Sequence, residues 1–172
     1  MKQFIRFVVL ACLVFAWSAR TLLAADSISF SGKYSAERSK GASGASTDST
    51  LEVTQSEDKI EITRVELGKS TTSQCPFNST AGAYTTPGGI SGTCQAQLKG
   101  KNLIIESVVV THPQAAARPV RVRTKERWQL SADLKVLTIK SDVDFPDFPS
   151  DISAAVAGST SATAHYTRTE SQ

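Results

Sequence analysis

Apolar and polar residues alternate with a period of two in nine short runs along this chain, at 28–36, 50–56, 59–67, 72–77, 93–99, 102–111, 120–130, 135–145 and 162–169. That rhythm suits strands with one buried face and leaves little room for helices. Ile28, Phe30, Gly32 and Tyr34 share one face of the first run, and Leu51 and Val53 alternate with Glu52 and Thr54 in the second. Short polar turns separate neighbours: Ser56-Glu57-Asp58, Gly100-Lys101-Asn102 and Ser131-Ala132-Asp133. Connections this short join strands antiparallel. One short C-terminal helix is expected, with Ser150 as its N-cap, Ile152, Ala155 and Val156 as its apolar stripe and Gly158 as its stop. Residues 37–50 are too polar and Gly/Ser-rich to pack, and 78–92 read as a Gly-rich loop.

The first 25 residues have a different character. Lys2 and Arg6 precede an uncharged apolar run from Phe7 to Trp17, and Leu22-Leu23-Ala24-Ala25 supplies small residues before Asp26. This is the pattern of a cleavable secretory signal, too short for a membrane-spanning helix. Cys12 offers a lipoprotein alternative, but the apolar run continues past it. The expected organisation is therefore a signal over 1–25 and one domain over 26–172, exported to the periplasm or the extracellular space without stable membrane insertion. Lys2, Arg6 and Arg20 account for the formal charge of +3, and the other 16 cations match the chain's 16 acidic residues. A neutral mature chain gives no support to nucleic-acid binding. Beyond the signal only Cys75 and Cys94 remain, and an exported chain with one cysteine pair is expected to bridge them.

Sequential hairpins in a chain of this size point to an all-β fold, either an antiparallel up-and-down barrel of about eight or nine strands or a β-sandwich. The segment Ala162 to Thr169 is long enough to close a barrel against the first run. Gly32-Lys33-Tyr34, the hairpin Arg127-Trp128-Gln129-Leu130-Ser131-Ala132-Asp133-Leu134-Lys135-Val136-Leu137-Thr138, and the closing Tyr166-Thr167-Arg168 segment give the chain its likeness to a known family. In these segments it resembles the lipocalin-like, or calycin, barrels, and more narrowly small secreted bacterial proteins of unknown function that look like them. The resemblance implies transport of a small apolar ligand. Lipocalins usually carry Trp where this chain has Tyr34.

Two of the four candidate site residues, Glu126 and Trp128, fall on the seventh run. Arg121, Arg123, Lys125 and Arg127 form one outward row, and the expected register, with Trp128 opposite Leu137, sets Arg123 against Asp142 and Arg121 against Asp144. The other face carries Glu126 between Thr124 and Trp128. A carboxylate turned inward needs a partner, because an unpaired buried charge costs several kcal/mol or more. Arg64 is the candidate, since the alternation of Ile60 and Ile62 carries it inward unless a bulge turns it out and sends Val65 and Leu67 in. Trp128, Glu126, Arg64 and Tyr34 are the candidate ligand-binding residues. Asn78-Ser79-Thr80 matches a glycosylation acceptor.

His112 and His165 read as exposed. There is no nucleophile-elbow motif, metal-ligand spacing or cofactor motif. The expected function is a non-catalytic exported binding module for a small apolar or amphipathic ligand. Two alternatives stay open: a structural or interaction protein with a filled barrel, and a small barrel hydrolase or isomerase.

Overall fold

β-branched and aromatic side chains on one face of each run, with polar residues opposite, suit a pleated surface wet on one side, and turn chemistry then decides which runs meet. The computed structural model describes residues 28–37, 49–78, 80–86, 88–112, 119–147 and 161–169. The strands are β1 (Gly32–Ala36), β2 (Thr50–Gln55), β3 (Lys59–Glu66), β4 (Lys69–Pro76), β5 (Gly82–Thr85), β6 (Ser91–Lys99), β7 (Asn102–Thr111), β8 (Val120–Leu130), β9 (Val136–Asp144) and β10 (Ser161–Arg168). They form one 10-stranded sheet in the order β4-β3-β2-β1-β10-β9-β8-β7-β6-β5, each neighbour antiparallel. The sheet curls into a nearly closed barrel, so the sandwich alternative does not hold.

Ten strands replace the expected eight or nine. The additional one is β5, inside the stretch 78–92 that reads as a loop. Only Gly82 and Tyr84 alternate inward there, too few to register against the surrounding Gly, Ser and Pro, and the strand exists because β6 pairs with it from Gly82↔Cys94 to Thr85↔Ser91. The expected signal over 1–25 and the expected helix over 150–158 lie outside the described residues, as does most of 37–50. No helix among the described residues is long and apolar enough to cross a membrane.

Two local geometries correct the expected registers. Leu67 and Gly68 both take positive φ, 51° and 75°, so β3 turns into β4 through a two-residue hairpin of the type that matches strand twist. The ladder between β2 and β3 runs unbroken from Thr50↔Val65 to Gln55↔Ile60. No bulge intervenes: Arg64 stays inward, Val65 faces out, and Leu67 is exposed at the turn. Between β8 and β9 the loop is longer than Ser131-Ala132-Asp133. Leu134 adopts a φ of 59°, and Ser131 closes the loop by accepting from the Val136 N–H through its hydroxyl and donating its own N–H to the Val136 carbonyl. The register therefore slips by two, and Trp128 lies opposite Ile139 rather than Leu137. An even slip preserves every inward and outward assignment.

It does change the outer charges. Arg123 now stands opposite Asp144 and Lys125 opposite Asp142, while the ion pairs are Arg121–Asp147 and Lys125–Glu106. The expected pairs Arg123–Asp142 and Arg121–Asp144 do not form.

The barrel has two unlike ends. The turns 56–58, 100–101 and 131–135 lie at one end, and the turn Leu67–Gly68 lies at the other, with the strand ends Ala36, Thr50, Thr85, Ser91, Thr111, Val120, Asp144 and Ser161. Toward the first end the interior is a close-packed core in which Phe30, Ile60, Leu103, Trp128 and Leu137 have no exposed surface. The strands β1 and β10 are locked there by Tyr34 and Arg168, register partners whose guanidinium carbon lies 5.2 Å from the ring centroid. The Tyr34 hydroxyl donates to the Phe30 carbonyl at 2.8 Å and accepts from Arg168 Nη2 at 2.8 Å.

The sheet's own edges, β4 and β5, meet without a backbone ladder. Instead the Thr85 N–H donates to Ser73 Oγ at 3.0 Å, and the Cys75–Cys94 disulfide ties β4 to β6 with a Cα separation of 5.1 Å. Gly82 makes the approach possible, since a Cβ there would lie 1.9 Å from the Gln74 carbonyl oxygen.

Candidate functional site

Inward positions change character partway along the barrel. Around Trp128 they are large, apolar and buried; farther along, small or polar residues, among them Thr71, Thr124, Ser141, Ala162 and Ala164, stand beside apolar ones such as Val109, Val120 and Val122 that stay buried or packed on the core. Ala162 and Ala164 face inward by their pairing with Ser141 and Ile139, yet both are exposed. An alanine that points into a barrel and still meets solvent marks open space beside it. Along β10, the interior beside Ala162 and Ala164 is therefore open to solvent.

Arg64, Glu126 and Trp128 sit at the boundary. Arg64 reaches across from β3 to β8, and its Nη2 donates to both Glu126 oxygens, at 3.0 Å to Oε1 and 2.7 Å to Oε2. Trp128 Nε1 donates to Oε2 at 2.8 Å, and the Arg64 guanidinium carbon lies 5.9 Å from the indole centroid. The two charged side chains are 12% and 13% exposed, so the pair is largely withdrawn from water. Burial opposes the guanidinium's charge, but the Glu126 carboxylate, with the Tyr84 and Tyr166 oxygens adding to its field, holds the Arg64 pKa above the ordinary arginine range. The cluster is a neutral unit: one cation, one anion and an indole whose polar edge is spent on the anion. Ser141 is the register partner of Glu126, and Thr71 that of Arg64, so hydroxyls flank it on both walls.

The inward alternation of residues 60–64 and 120–130 thus brings together three of the four sequence-derived candidates. Tyr34 is not with them. It is 1% exposed, and its hydroxyl is occupied by Phe30 and Arg168. Tyr84 and Tyr166, which act on the Arg64 charge, are not among those candidates: Tyr84 falls in the stretch 78–92 that reads as a loop, and the parity of Tyr166 with Arg168 is the signal for an inward ring. Neither histidine joins the cluster: His112 is exposed past the end of β7, and His165 faces outward with Nδ1 3.2 Å from Thr138 Oγ1. Among the described residues there is no group of three or more His, Cys, Asp or Glu placed to hold a metal ion. The geometry gives a charged but compensated floor flanked by hydroxyl-bearing walls.

No protein-family model and no curated protein matches the chain. Solved structures do match in fold. A REP1-NXSQ fatty acid transporter superposes with a TM-score of 0.55 at 13% identity, over 83% of this chain and 97% of its own. Fatty-acid-binding protein 1 of Echinococcus granulosus gives 0.53 at 14% identity, over 82% and 98%. A fatty-acid-binding protein from brain tissue of Drosophila melanogaster gives 0.50 at 17%, over 81% and 99%. The resemblance to lipocalin-like barrels holds as a nearly closed antiparallel β-barrel. At these identities the likeness is one of architecture.

Proposed function

We propose that the chain is an exported, non-catalytic binding protein that holds a small apolar or amphipathic molecule in the open half of its barrel, above Arg64, Glu126 and Trp128. One observation carries the reading: Ala162 and Ala164 point inward and are exposed, over a floor with no room beneath it. Space of this kind inside a barrel, walled by small apolar side chains and a few hydroxyls, is where a ligand exchanges water for protein contacts. The neighbours in fold are named for fatty-acid transport or binding, which supports the same use of the interior. Export is supported by the signal-like first 25 residues and by the Cys75–Cys94 bridge, a bond favoured in oxidising compartments.

The test uses mature protein beginning at Asp26. Trp17 leaves with the signal, so tryptophan emission reports Trp128 alone. Titration with amphiphiles should change that emission saturably, and the same compounds should displace a fluorescent apolar probe. An emission indifferent to every amphiphile, together with no probe binding, would end this reading in favour of a structural module.

A further inference from the structure

The charge arrangement at the floor bears on which amphiphile fits. Resting on the binding reading above, we propose that the ligand carries an uncharged head group with a hydrogen-bond acceptor, such as an alcohol, ester or amide, rather than a carboxylate. The charged residues at inward positions toward the open end are Arg64, Lys69, Glu66 and Glu126, two cations against two anions, with Lys69 the register partner of Glu66. Arg64 is already bound through Nη2 to both oxygens of Glu126. A second carboxylate brought to the guanidinium would stand beside the first in a site largely withdrawn from water, where like charges repel strongly. The Trp128 N–H, the other strong donor of the floor, is also committed to Glu126.

What the floor can offer is different. Nη1 and Nε of Arg64 make no bond to Glu126, so they can donate to a carbonyl or hydroxyl oxygen. Thr71 and Ser141 flank the ion pair with groups that both donate and accept. A neutral head takes these bonds without adding charge.

Competition distinguishes the two. Wild-type mature protein is loaded with an uncharged fluorescent probe near pH 8, where a fatty acid is ionised, and challenged with an alcohol, a monoacylglycerol and a carboxylic acid of equal chain length. The alcohol and the monoacylglycerol should displace the probe at concentrations at least tenfold below the acid. The acid should tighten as the pH falls and it becomes neutral. Glu126→Gln removes the resident anion and frees the Arg64 charge, so it should shift preference toward the carboxylate at least tenfold. Equal or better binding of the ionised acid by wild type overturns the proposal while leaving the binding reading intact; failure of every compound to displace the probe ends both. The wild-type comparison decides whether or not the variant folds.

Discussion

Replacing Arg64 by Met should destabilise the barrel by about 2–3 kcal/mol. Breaking one half of a buried ion pair costs about 3–5 kcal/mol where the remaining charge is fully enclosed. Here the pair is 12% and 13% exposed, and Trp128 Nε1 still donates to Glu126, so the lower figure follows. Glu126→Gln is milder, at about 1–2 kcal/mol, because a glutamine oxygen can accept from both Arg64 and the indole. The double substitution should cost about 1–2 kcal/mol less than the sum of the singles, since neither charge is left alone. Urea unfolding followed by far-UV circular dichroism is the suitable assay, as Trp128 emission would report the altered site itself. Single variants that both stay within about 0.5 kcal/mol of wild type, or a cycle with no coupling, would refute the claim that the pair is held in a low-dielectric interior.

Cys75→Ser with Cys94→Ser should lower stability by about 3 kcal/mol, the chain-entropy value for a bridge spanning 19 positions, and a reductant should reproduce the shift in the urea midpoint of wild type. Gly82→Ala sets a Cβ 1.9 Å from the Gln74 carbonyl and should cost about 1–3 kcal/mol, whereas Gly88→Ala, whose Cβ meets only Thr86 Oγ1 at 3.7 Å, should leave the melting temperature unchanged. Acid should destabilise late. The Ser56 hydroxyl lowers the Asp58 pKa, the Ser131 hydroxyl that of Asp133 and the Lys125 ammonium that of Glu106. Their contribution is complete above the unfolded carboxylate pKa and is lost as pH falls through the lower folded values, so melting temperature should hold from about pH 8 to 5 and drop below about pH 4. Lys125→Ala removes a half-exposed partner of Glu106 and should cost less than about 1 kcal/mol in thermal unfolding.

Sequence reasoning reached most of this because alternation is a local signal. Every expected run became a strand, Cys75 and Cys94 pair, and Glu126 meets Arg64 because each lies an even number of positions from a core residue in its own strand. What escaped depends on partners remote in sequence or on loop geometry. Strand β5 exists through its ladder with β6, not through its own four residues. The slip between β8 and β9 hangs on Leu134 at positive φ, an uncommon conformation for leucine that composition does not announce. Arg121 meets Asp147 beyond the end of β9, and Lys125 pairs with Glu106 on its other side, its register partner on β7, which the slip does not touch. The openness above Trp128 was the least legible feature, because alanines at 162 and 164 read equally well as filler.

The seam between β4 and β5 also bears on how the molecule behaves in company. A sheet edge carries unpaired N–H and C=O groups and can recruit a strand from another chain, which is how many β proteins polymerise. In this barrel both edges are turned toward each other, with Gly82 letting them approach and the Cys75–Cys94 bridge preventing them from parting. Each therefore screens the other from intermolecular pairing. Reduction would unfasten the site from which strand-by-strand association can begin, so the bridge guards solubility as well as fold.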